Sequence, residues 1–241
     1  MPSATPLRTA LNHINDWYSS NGLKGNTDKT QCIILGSKAN TRRVPENFVV
    51  DCMGTKISHD NEIKSLGVWF DPNLTFGFHF HKLCSKLNGT LMFLSRTKKK
   101  LDFKSRLLVI NALIFSHLNY CPTIWGKCAK TSLSDIQRSL NFTAKVAHDG
   151  NFRKSDHVTP ILKTLGWLNI QERLELSEAI RVFKIQNKLS CSNGVVLSTR
   201  KAAHKRSTRN DNNFDTAFRR TKTGAKAFTI SGPKCFNNLP V

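Results

Sequence analysis

The sequence predicts an α+β fold: a small antiparallel sheet, then a mainly helical region, then a basic and flexible C-terminal segment. Three observations carry this. Ile63, Leu66, Val68 and Phe70 are spaced as one buried strand, with Gly67 admitting a neighbouring backbone, and Asp71-Pro72-Asn73 closes it because proline cannot pair in a ladder. After Thr75 the apolar period lengthens from about two to about three and a half residues and stays there. Beyond Ser198 apolar residues thin out, and 195–241 carries ten Lys or Arg against two acids. The 241 residues divide on this basis into 1–71, 72–194 and 195–241. Within the last part, 198–226 is expected to be flexible, and 227–241 can dock back on the core through Phe228, Ile230, Phe236 and Leu239.

Leu7, Leu11, Ile14 and Tyr18 mark one face of a first helix, started at Thr5-Pro6 and stopped at Asn21-Gly22. An apolar strand is expected over 31–35, closed by Gly36, and a basic connection over 40–45. Residues 48–52 and 55–58 can form a hairpin around Met53-Gly54, a pair that is a weak turn signal. After the 63–70 strand, Phe76, Phe80, Leu83, Leu87, Leu91 and Leu94 fall on one helical stripe, with Gly89 its weak point. The run 107–118 is apolar enough for a buried helix, ended by Asn119-Tyr120-Cys121-Pro122. Ser132 is expected to cap a helix carrying Leu133, Ile136, Leu140 and Ala144, and Asn169 another from Ile170 to about Leu189.

Composition bounds the function. Thirty-seven Lys plus Arg against 16 Asp plus Glu leave a formal charge of +21, which repels itself on compaction unless an anionic partner offsets it. Nucleic acid is the leading partner, with an acidic membrane surface second. An odd number of cysteines, seven, with no Cys-x-x-Cys pair argues for reduced thiols and an intracellular location, nucleus or cytoplasm. No apolar run approaches a membrane span, and no signal-peptide core is expected at the start.

Familiar catalytic signatures are absent from the sequence: no phosphate-binding Gly-x-x-x-x-Gly-Lys, no Gly-x-Gly-x-x-Gly, no Gly-x-Ser-x-Gly. His79, His81 and Cys84 could supply ligands, yet on a helix only His81 and Cys84 share a face, so surface histidines and a buried cysteine are expected and no metal site is assigned. A two-metal centre needs converging carboxylates, and the acids of the first third are scattered. Asp71 sits at a strand end like a catalytic acid, but Asp-Pro-Asn ahead of a helix marks a turn. No catalytic residue is assigned. Two basic features remain. Arg96, Lys98, Lys99, Lys100, Lys104 and Arg106 can follow phosphates across one helix end and the next helix start. Arg200, Lys201, Lys205, Arg206, Arg209, Arg219 and Arg220 form a basic tail. The phenylalanines follow apolar stripes and are expected in the core rather than as a stacking platform.

In order along the chain, Ile14-Asn15-Asp16-Trp17, Asn21-Gly22-Leu23, Asn26, Lys29-Thr30, Leu66-Gly67-Val68, Asp71, Leu74-Thr75-Phe76 with His79, and Lys86, Leu91, Leu94, Arg96 resemble the later part of a non-LTR (LINE-type, jockey-like) retrotransposon reverse transcriptase. Asn119-Tyr120, Trp125-Gly126, Gly166-Trp167-Leu168, Arg173, Gly232-Pro233 and Asn237-Asn238-Leu239-Pro240 continue the resemblance, although Phe236 stands where that family prefers Trp. The resemblance implies the end of a polymerase palm, 1 to about 71, and a helical thumb that tracks a primer–template duplex. It implies phosphate contacts for the 96–106 cations and a role near the incoming nucleotide's phosphates for Lys29. The family's catalytic aspartates are expected upstream of this stretch. The chain is therefore expected to lack polymerase activity alone, to need no cofactor, with Mg²⁺ belonging only to a complete polymerase, and to bind RNA–DNA hybrid or duplex DNA nonspecifically. The alternatives are a decayed mobile-element reading frame or a co-opted nucleic-acid-binding protein.

Overall fold

Apolar periodicity changes once along this chain, and the structure changes class at the same place. The computed structural model describes residues 5–148, 156–191, 194–203, 211–216 and 218–239. It is an α+β protein in which short antiparallel hairpins precede a larger helical part. Two compact units, 1–81 and 82–241, divide it.

In the first unit, helix α1 (Thr5–Ser20) is followed by a 3₁₀ turn (Thr27–Lys29) and the short helix α2 (Lys38–Thr41). Strands β1 (Val49–Cys52) and β2 (Thr55–Ser58) form the expected hairpin, with Cys52 opposite Thr55. Met53 and Gly54 both take positive φ, 53° and 77°, as a two-residue turn that follows the twist of its strands requires. The expected 31–35 strand does not form a ladder. Only Cys32 bridges, to His59, and its carbonyl accepts from Asp60 N at 2.7 Å.

The single strand expected over 63–70 is instead a second hairpin, β3 (Ile63–Ser65) paired with β4 (Val68–Phe70). Leu66 and Gly67 are its turn, with φ of 45° and 86°, and Leu66 is 88% exposed rather than buried. Gly67 therefore serves the turn conformation, which a positive φ of 86° reserves for glycine. A left-handed leucine costs about 1–2 kcal/mol, and that conflict between residue and conformation is why alternation alone gave one strand. The hairpin is fastened by aromatics: Trp69 meets Phe78 edge-on at 4.9 Å, and Phe70 tilts against Phe76 at 5.8 Å.

Helix α3 (Gly77–Thr97) continues unbroken past Gly89, and its stripe of Phe80, Leu83, Leu87, Leu91 and Leu94 is buried as expected. In the second unit a 3₁₀ turn (Lys98–Lys100) leads into α4 (Phe103–Ile110), a π-turn (Asn111–Phe115) and α5 (Ser116–Leu118), one helical rod over the expected apolar run. Next come α6 (Pro122–Trp125), α7 (Lys130–Ala147), α8 (Thr159–Leu165) and α9 (Ile170–Gln186). Ser132 does not cap α7: the helix begins two residues earlier, after extended Ala129. Asn169 does cap α9, in a reciprocal box with Glu172. Ala144, Ile161 and Leu162 form a buried cluster sealed by Val158, Leu165 and Trp167.

The described part of the basic tail is tied by backbone bonds. Helix α10 (Arg200–Ala203) has Arg200 N and Lys201 N donating to Asn213 O and Asp211 O, and Phe214 is buried. Helices α11 (Lys222–Ala225) and α12 (Phe228–Asn237) follow, and α12 packs against α9. Asn237 uses its amide as a second backbone: Oδ1 accepts from Phe214 N and Nδ2 donates to Phe214 O, both at 2.9 Å. No helix of the described residues is long and apolar enough to cross a membrane.

Candidate nucleic-acid interface

The six cations of the 96–106 stretch do not share one surface, and the end of α7 is the reason. The last carbonyls of a helix lack intrahelical partners and carry the negative end of its dipole. Lys98 Nζ donates to Lys145 O at 3.3 Å, and Arg106 Nη1 donates to Val146 O at 3.4 Å. Arg106 is 3% exposed, so this cation faces the protein interior, while Lys98 is half-buried. Both serve as C-terminal caps of α7 in this conformation.

Arg96 in the last turn of α3, Lys99 and Lys100 in the 3₁₀ turn, and Lys104 in the first turn of α4 are exposed. They lie within nine residues of chain with Asp102 as the single intervening acid. Phe93, 61% exposed, and Phe103 flank them. This departs from the expectation that the phenylalanines are core. Phe93 follows Leu91 by two residues, about 200° around the helix, so it points away from the buried stripe. That offset was the available signal.

Lys29 lies in the first unit, exposed, at the end of the 3₁₀ turn whose start is capped by Asn26: Lys29 N donates to Asn26 Oδ1 at 3.2 Å. The same unit holds a concavity of about 360 Å³ that sequence reasoning did not single out, lined by Lys38, Arg42, His59, Asn61 and Asn73 among others. Of the basic tail, Arg200, Lys201, Arg219 and Arg220 are described, and Lys205, Arg206 and Arg209 lie outside the described residues.

Asp71 is fully used by its turn. Oδ1 accepts from Asn73 N and Thr75 N at 3.1 and 3.0 Å, and Oδ2 from Thr75 Oγ1 and Phe76 N at 3.1 and 2.6 Å. Four bonds occupy about all the acceptor sites of a carboxylate, so the strand-end acid launches α3. His79 departs from the surface position expected for it. It is buried, its Nδ1 accepts from Trp69 N at 3.5 Å, and burial pushes its pKa down. Among the described residues no three His, Cys, Asp or Glu side chains are grouped to hold a metal ion.

Residues that carry the family resemblance in the helical part converge on a structural joint. Arg173 Nη1 donates to Asn119 Oδ1 at 3.1 Å, and its guanidinium lies 4.3 Å from the ring centre of Phe115. Phe115 meets Trp167 edge-on at 4.7 Å. Trp125 is wholly buried and donates from Nε1 to Tyr120 O at 2.7 Å. A Cβ on Gly126 would come within 2.6 Å of both Leu174 Cδ2 and the Pro122 carbonyl, so a glycine there lets α9 approach α6.

A curated relative is similar to part of the chain. It is the Retrovirus-related Pol polyprotein from type-1 retrotransposable element R1 of Bradysia coprophila, 26% identical over 111 residues. The match covers 45% of this chain and 11% of that polyprotein. No protein-family model matches the chain. No solved structure matches it. The similarity supports a mobile-element origin for the sequence.

Proposed function

We propose that this chain is a retrotransposon-derived nucleic-acid-binding module: the palm end and thumb-like region of a non-LTR, jockey-like reverse transcriptase, holding RNA–DNA hybrid or duplex DNA without sequence preference. The observation that carries the reading is the exposed quartet Arg96, Lys99, Lys100 and Lys104, set between exposed Phe93 and Phe103 in a chain of charge +21. Lysine and arginine side chains displace condensed counterions when they meet phosphates, and that release drives nonspecific binding. Two flanking aromatic rings add faces on which bases at a frayed or single-stranded end can stack. The similarity to a retrotransposable-element Pol polyprotein supports the lineage. DNA synthesis is not assigned to this chain, because the sequence holds no adjacent pair of aspartates and Asp71 is spent on its turn.

The test is anisotropy titration of a labelled RNA–DNA hybrid across a salt series. Four phosphate contacts predict a log–log slope of about −3.5. Replacing Arg96, Lys99, Lys100 and Lys104 by alanine flattens the slope and weakens binding at low salt. Salt-independent binding, or an unchanged slope in the variant, overturns the reading. Mg²⁺-dependent extension of a primer by the purified chain overturns the statement about synthesis.

A second reading, a decayed mobile-element reading frame, is favoured by the first unit. Its strands form two separate two-stranded hairpins, and Leu7, Ile14 and Trp17 of α1 are exposed. Isolated two-stranded hairpins are marginal in water. A cooperative thermal transition argues against decay, and its absence argues for it.

A further inference from the structure

Helix α9 is apolar on two sides. Leu174, Ala179 and Val182 are buried, and α9 packs against α12, α6 and α7. Leu176, Ile180 and Phe183, on other faces of the helix, stay 43–48% exposed. A helix apolar on more than one face is normally covered on more than one face. Along the uncovered side runs an open groove of about 810 Å³. Its apolar lining includes Ile124 of α6, Leu176, Ile180 and, at the far end, Leu189, and its cations are Arg173, Arg181 and Lys184. The α9 positions 173, 176, 177, 180, 181 and 184 form one stripe about 16 Å long, three helical turns.

The charge of this groove is one-sided. Among the described residues no carboxylate lines it, and the three acids of α9 are committed elsewhere. Glu172 closes the capping box, Glu175 accepts from Gln171, and Glu178 is buried with Lys127 and Ser231. Arg173 is engaged with Asn119 and Phe115. Among the described residues neither Arg181 nor Lys184 has a carboxylate partner, although both flank an apolar floor.

We propose that this groove docks an acidic amphipathic helix of about three turns carried by a protein partner. Apolar side chains of the occupant at i, i+4 and i+7 seat on Ile124, Leu176 and Ile180, and carboxylates beside them meet Arg181 and Lys184. The floor favours this occupant over a nucleic acid. Apart from Phe228 its apolar lining is aliphatic, so it offers little flat surface for base stacking, and a phosphate backbone on the cations leaves the aliphatic floor wet. The proposal concerns a surface separate in sequence from the Arg96–Lys104 quartet and stands without it.

The probe is a fluorescein-labelled helical peptide of about 15 residues, with leucines at i, i+4, i+7 and i+11 and glutamates beside them. It is titrated with the full chain alongside a charge-reversed version carrying lysines and a labelled oligo(dT). The acidic peptide is expected to bind in the micromolar range and the lysine peptide not to bind. Ile180→Asp and the double variant Arg181→Glu/Lys184→Glu each weaken binding at least about tenfold. Both alter exposed or half-exposed side chains, so thermal unfolding stays near that of the parent and separates lost docking from lost folding. Absence of acidic-peptide binding at about millimolar concentration overturns the proposal, as does equal binding of the lysine peptide or unchanged affinity in both variants. If only oligo(dT) loses affinity in these variants, the groove is a nucleic-acid surface and the proposal fails.

Discussion

Arg173 lies over the face of Phe115, guanidinium carbon 4.3 Å from the ring centre, and so ties α9 to the π-turn of the α4–α5 rod. The π-turn displaces the helix register by one residue at this point, and Phe115 there also meets Trp167. Burial lowers the Arg173 pKa from its ordinary value, and arginine tolerates this because its charge persists at neutral pH. Lysine offers neither the planar stack nor the fork. We expect Arg173→Lys to cost about 1–2 kcal/mol, as one hydrogen bond to a charged group plus a cation–π contact. Urea unfolding measures it, and a midpoint equal to the parent's would show the stack to be energetically idle.

Glu178 is a buried carboxylate paired with Lys127 and accepting from Ser231 Oγ at 3.0 Å. These contacts join α9 both to the segment after α6 and to α12. Removing one member of such a pair leaves a poorly solvated charge, at about 3–5 kcal/mol when the survivor is fully buried. Lys127 retains 28% of its side-chain exposure, so the lower end of that range is expected for Glu178→Ala. Glu178→Gln keeps an acceptor for Ser231 and should lose less. Equal losses in the two variants would mean that charge pairing contributes little.

Much of the helical part was legible because its stripes are clean. Phe80 to Leu94 on α3 and the Asn169 cap of α9 both follow from spacing and local hydrogen-bonding chemistry. The first unit was less legible. Turn residues normally announce themselves, but Leu66 is an apolar residue in a left-handed turn, and alternation then merges two short strands into one. In the basic cluster, sequence could count six cations but could not separate them. Whether Arg106 meets a phosphate or the carbonyl of Val146 depends on where α7 ends, forty residues away. The burial of Phe214 likewise rests on Asn237 and Phe236, which are distant in sequence.

Burial lowers the His79 pKa from its ordinary 6.5. A folded pKa below the unfolded one means that the unfolded chain binds a proton the folded chain refuses. The stability is fully present above about pH 6.5 and is lost as pH falls through that value toward the folded pKa. His117 is lowered too, by burial and then by Lys86, and acts in the same direction. The urea midpoint should therefore fall between about pH 7 and 5. His79→Gln preserves an acceptor for Trp69 N while removing the titration, and should fall less over that interval. Parallel pH profiles for the two proteins would exclude His79 as a source.

Burial pushes the Cys128 thiol up to about 11, and Lys226 offsets only part of that. At pH 8 a thiol at that value carries about a hundredfold less thiolate than one at 9, and the thiolate is the reactive form. Cys52 is also buried, whereas Cys191 is exposed. With Ellman's reagent at pH 8 we expect Cys191 to react first in the folded chain, and Cys52 and Cys128 to react only as fast as the protein opens. Denaturant should then raise their rates toward that of Cys191, because the barrier is burial and not the chemistry of the sulfur. Peptide mapping of a timed alkylation locates each label. Early modification of Cys128 without denaturant would show that α6 and the chain after it open locally rather than with the rest of the helical unit.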